Sequence, residues 1–247
     1  MVGKLLVRGM LAGIAAGLLT FGLARVVGEP QVDQAISFEE KADAAKGEAP
    51  EPELVSRGTQ AGLGLFTGVV VYGAAVGGLF SLTFAYLYGR AGKLSVRALS
   101  AWLALGAFLA IAIVPALKYP PNPPSVGDPE TIGYRTGLYF LMIVISLTAL
   151  VFSMKVRRRA AVRFGAWNGS IVAGLVFIVI IAAVQTGLPV INEVPAAFPA
   201  VVLWKFRVAA LGMQAVLWAA IGLMFGALAE RLQRVSRAAR PEQRLAG

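Results

Sequence analysis

Residues 136–186 read TGLYFLMIVISLTALVFSM, then KVRRRAAVRF, then GAWNGSIVAGLVFIVIIAAVQT. Two apolar runs of helical length flank a block of cations, and no acidic residue interrupts the whole stretch. A run of ~20 apolar residues is enough to cross a ~30 Å hydrocarbon core as a helix. Within lipid only helices and closed barrels satisfy every backbone N–H and C=O. Runs this continuous lack the apolar–polar alternation of a barrel strand. The stretch therefore reads as two membrane-spanning helices joined by a basic turn.

The same pattern recurs on either side. Apolar runs cover Leu5–Val27, Ala61–Tyr88, Ala98–Leu117, Thr136–Met154, Gly165–Thr186 and Val208–Ala229. The predicted fold is all-α, a polytopic bundle of six transmembrane helices over residues 1–232 with an acidic outer loop 28–60 and a basic cytoplasmic tail 233–247. Lys4 and Arg8, then Arg90, Lys93 and Arg97, then Lys155 to Arg163, then Arg231 onward stand on alternate sides of these runs. All acidic residues except Glu230 and Glu242 fall in the other three loops. The positive-inside rule places both termini in the cytoplasm of a cell-membrane protein. The formal net charge of +10 comes largely from these clusters, so it is a topology and lipid signal and not a nucleic-acid surface.

Gly28–Gln60 is the one soluble-looking segment. Ser37-Phe38-Glu39-Glu40 fits a capping box, which predicts a short surface helix starting there, and Ala49-Pro50-Glu51-Pro52-Glu53 reads as an extended linker. Gly9, Gly13 and Gly17, the glycines of the second run, and Gly222 with Gly226 predict close packing among spans one, two and six, or between copies in a homo-oligomer.

Polar chemistry gathers in two proline-stiffened outer loops. The first holds Asn122, Asp128 and Glu130, with Arg135 following; the second holds Asn192 and Glu193, with Arg207 following. Asp128-Pro129-Glu130 also has the form of a helix start, with Asp as N-cap. Glu193 stands among apolar residues, and Lys205 or Arg207 is its nearest partner in sequence. Asn122, Asp128, Glu130, Asn192 and Glu193 form a hard oxygen set that suits a weakly held divalent cation, with Arg135, Arg207 and the intramembrane Gln214 in support. The chain has no cysteine and no histidine, which removes thiolate and imidazole ligands. No catalytic constellation or tightly bound cofactor is expected, and the chain does not read as an enzyme.

Lys118-Tyr119-Pro120, Asn122-Pro123-Pro124 and Val126-Gly127-Asp128-Pro129-Glu130-Thr131-Ile132-Gly133, with Arg135-Thr136 behind them, resemble the characteristic stretch of the CbtA family of cobalt transporter subunits. Leu188-Pro189, Asn192-Glu193-Val194-Pro195, Phe198-Pro199-Ala200, Leu203-Trp204 and Phe206-Arg207 resemble its second motif, and Gly28-Glu29-Pro30 and the Gly-rich second run also fit. The resemblance implies a membrane subunit for uptake of a divalent metal, cobalt, working beside a small single-span partner with a histidine-rich end. The alternative is a non-transporting scaffold subunit of a membrane complex.

Overall fold

Basic residues and small apolar ones are good helix formers, and nothing between Lys155 and Phe164 breaks a helix. In the computed structural model that block is helical, and residues 2–47 and 54–245 are described, 235–245 by backbone alone. The proposed linker Ala49–Glu53 lies outside the described residues. Five helices among the described residues are long and apolar enough to cross a membrane: α1 (Val2–Lys46), α2 (Arg57–Leu87), α3 (Val96–Lys118), α4 (Ile132–Gly187) and α5 (Ala200–Leu245).

The expected six transmembrane helices are thus corrected to five. Thr136–Met154 and Gly165–Thr186 belong to one helical element, α4, interrupted where Gly165 takes φ 82° and ψ 163°. Glycine enters that region without a Cβ penalty. The helix doubles back there. Leu138, Met142 and Ala149 from its first arm share one buried cluster with Ile181 from its second, together with Val114 and Tyr119.

The first helix also departs from expectation. The helix does not end at Gly28-Glu29-Pro30, and no new helix starts at Ser37; α1 runs on to Lys46. Proline lacks an N–H and crowds the carbonyl four residues before it. A π turn at Ala24–Gly28 absorbs the conflict ahead of Pro30, with the Glu29 N–H donating to the Ala24 carbonyl. α3 does the same ahead of Pro115: a π turn at Phe108–Ile113 lets the Val114 N–H donate to the Leu109 carbonyl.

Such a turn frees carbonyls that lipid cannot hydrate. In α3 the Ser146 hydroxyl donates to the Ala110 carbonyl, and the Tyr139 hydroxyl to Ile111 at 3.4 Å. Ile111 is the residue whose acceptor Pro115 leaves unused. A third π turn, Gln60–Gly64, lets the Leu65 N–H skip Ala61, whose carbonyl accepts from the Arg25 guanidinium at 3.4 Å.

The chain divides into two compact units, one of Met1–Pro30, Pro50–Leu105 and Gly212–Gly247, the other of Gln31–Ala49 and Gly106–Leu211. In the first unit α1 and α2 run antiparallel with glycine on glycine. A Cβ on Gly13 would strike the Gly73 carbonyl, one on Gly9 the Gly77 carbonyl, and one on Gly17 would lie 3.0 Å from the Val69 oxygen. Phe225 of α5 packs edge-on against Phe80 and Phe84. Gly222 and Gly226 meet Ala104 and Ser100 of α3 instead of spans one and two, and the Ser100 hydroxyl donates to the Gly222 carbonyl at 2.6 Å.

The second unit contains the α4 hairpin, the end of α3, the start of α5 and both proline-rich loops.

Candidate functional site

The first loop leaves α3 at Lys118 and enters a 3-10 turn, Pro129–Thr131, that opens α4. Asp128 is the N-cap expected from the sequence: its carboxylate accepts from the Glu130 N–H at 2.8 Å. An uncapped helix end leaves backbone donors without partners, and Asp is among the best acceptors for them. The second loop, between α4 and α5, is anchored at its start. The Tyr119 hydroxyl donates to the Pro189 carbonyl at 3.0 Å, and Lys118 donates to the Gln185 carbonyl at 2.7 Å.

Glu193 ties the loops together. One carboxylate oxygen accepts from the Asp128 N–H at 2.7 Å, and the other from the Thr131 hydroxyl at 2.8 Å. Arg135 Nε lies 3.3 Å from the carboxylate, and its Nη2 donates to the Asp128 carbonyl at 3.1 Å. The partner is therefore Arg135, and neither Lys205 nor Arg207. The Asp128 amide, then the Thr131 hydroxyl, and more weakly Arg135, hold the Glu193 carboxyl below its ordinary range against an opposing desolvation.

Gly127 makes room for this arrangement. Its φ is 124°, and a Cβ there would lie 2.6 Å from the carbon of the Arg135 guanidinium.

A second tie joins the first loop to α5. Arg207 Nη2 donates to the Asn122 side-chain oxygen at 2.8 Å. Beneath the ties lies a small apolar core of Ala35, Val126, Phe198 and Val202, with Phe38 edge-on to Phe198 at 5.0 Å. Ser125, at φ 65°, donates from its hydroxyl to the Ala35 carbonyl at 3.4 Å.

The structure thus brings Asp128, Glu193 and Arg135 together in one group and pairs Asn122 with Arg207 in another. Asp128, Glu130 and Asn192 are exposed. Gln214 belongs to the other unit, where its Oε1 is buried without a hydrogen-bond partner. Thr131, Gly127 and Lys118 were not singled out from the sequence, although all stand within the first loop motif. Their roles depend on contacts between segments that meet only in the folded chain, which local spacing does not encode. Among the described residues no three His, Cys, Asp or Glu side chains gather to hold a metal ion. The arrangement is a loop-borne display of oxygen atoms whose inner members are already engaged.

The model of the family described as "Probable cobalt transporter subunit (CbtA)" matches residues 2–230. No curated protein and no solved structure matches the chain.

Proposed function

The chain belongs to the family of probable cobalt transporter subunits, CbtA, and from that premise we propose that it is the membrane subunit through which a divalent cation, cobalt, is taken up. The family is one of transporter subunits and not of enzymes. The observation that carries the reading is the match across residues 2–230 on a chain whose long helices are of membrane length.

In this reading the two loops form the outer capture surface. Asp128, Glu130 and Asn192 offer exposed oxygens to a hydrated cation, which suits weak capture of a hard ion. Glu193 holds the second loop to the first through Asp128, Thr131 and Arg135, and Asn122 holds the first loop to α5 through Arg207. The basic segments lie on the cytoplasmic side, as the positive-inside rule directs, and α4 doubles back at its own basic block. A small single-span partner with histidine supplies the softer ligands that this chain lacks.

Uptake of radioactive cobalt under limiting metal tests the proposal. Cells carrying the chain and its partner should accumulate the ion faster than cells without the chain. Asp128→Asn with Glu130→Gln should slow initial uptake several-fold while leaving the amount of folded protein unchanged. Equal uptake with and without the chain would remove the transport reading.

The full engagement of Glu193 by its own loop partners favours a second reading, a scaffold whose loops only hold helices together. That reading expects loss of activity in loop variants only in proportion to loss of folded protein.

A further inference from the structure

We propose that the bend of α4 is a binding surface for anionic phospholipid headgroups. Lys155, Arg157, Arg159 and Arg163 are all exposed there. Residues 136–186 contain no acidic side chain to neutralise them. Gly165 turns the backbone with a positive φ, and the two arms approach closely where a Cβ on Gly169 would lie 2.7 Å from the Ala161 nitrogen. Arg157 Nε donates across the bend to the Ser170 hydroxyl at 2.9 Å, which orients that guanidinium.

Among these cations stand Val162, Phe164 and Trp167, which are 90%, 54% and 79% exposed. Arg163 lies over the Phe164 ring, 5.4 Å from its centre. Two chemistries are therefore presented together. The cations match phosphate, and the apolar side chains match the boundary between headgroups and acyl chains, where tryptophan is enriched. A soluble phosphate or an acidic peptide would engage the first and leave the second in water. A lipid engages both, and the bend lies at the end of two apolar arms of membrane length. The inference does not depend on which ion, if any, the chain carries.

The test titrates the purified full chain in detergent with phosphatidylglycerol or phosphatidylcholine. Binding is read by native mass spectrometry and by the thermal midpoint. Phosphatidylglycerol should bind more tightly, and added salt should erase the preference. Neutralising Lys155→Gln, Arg159→Gln and Arg163→Gln should weaken phosphatidylglycerol binding about fivefold per cation. Phosphatidylcholine binding should stay as it was. Val162→Ser with Trp167→Ser should weaken both lipids. Unchanged phosphatidylglycerol binding in the neutralised variant would overturn the proposal. A midpoint raised equally by inorganic phosphate would overturn the headgroup assignment. Should the variant not fold, the wild-type chain decides, since equal binding of the two lipids at low salt refutes the surface outright.

Discussion

Glu193 concentrates most of the loop chemistry in one carboxylate. Its folded value is depressed, chiefly by the Asp128 amide, so its charged form is favoured in the folded chain. The sign of the pH effect follows. The stabilisation is fully present above the ordinary carboxylate range. As pH falls, the unfolded chain takes up the proton first, and the contribution is lost as pH passes through the depressed folded value. Thermal midpoints measured from neutral to acid pH should show this loss, and Glu193→Gln should flatten that part of the profile while lowering the midpoint at neutral pH. Asn122→Ala removes the acceptor for Arg207. A hydrogen bond to a charged group contributes about 1.5–3 kcal/mol, so unfolding in detergent should show a loss of that order. Sequence spacing identified Asp128 as a cap because capping is local. It offered Lys205 or Arg207 as the nearest partners of Glu193 in sequence, and the structure selects Arg135, which reaches it only after the two loops meet.

The helices show how a rule broken locally is compensated by a neighbour. Pro115 and the π turn before it strip partners from the Ala110 and Ile111 carbonyls, and Ser146 and Tyr139 of α4 restore them. Ser146→Ala should therefore destabilise the chain by about 0.6–1.7 kcal/mol, the range for interhelical hydrogen bonds in membranes, as read by denaturant titration in micelles. The glycine seam makes a sharper demand. Gly13→Leu would drive a side chain into the Gly73 carbonyl, whereas Gly22 has open space around it. The first substitution should cut the yield of folded protein several-fold and Gly22→Leu should leave it unchanged, by size-exclusion profile. The close approach of glycine-bearing helices was legible from four-residue spacing. Which helix receives Gly222 and Gly226 was not, because spacing identifies a face and not what lies against it.

At the scale of the whole molecule, the chain's apolar runs leave it no solvent but lipid. With no native cysteine, single cysteines placed at Lys4, Lys93, Arg159 and Arg231 report their side of the membrane without background. An impermeant thiol reagent should label all four from the cytoplasmic side only; labelling of any one from outside would refute the proposed orientation. Hydropathy, run length and charge placement settled that the chain is a helical membrane protein, because the cost of an unpaired peptide group in oil applies to every run independently of its neighbours. The two loop motifs were equally legible, since proline and capping residues act within a few positions of themselves. The number of separate helices was not. A basic block that forms helix as readily as loop, broken only at Gly165, joined two expected spans into one folded-back element. The continuation of α1 through Pro30 to Lys46, the pairing of Glu193 with Arg135, and the rescue of the α3 carbonyls were likewise decided by tertiary structure. Each depends on a group far away in sequence arriving to accept or donate a hydrogen bond, and no local pattern encodes which group that is.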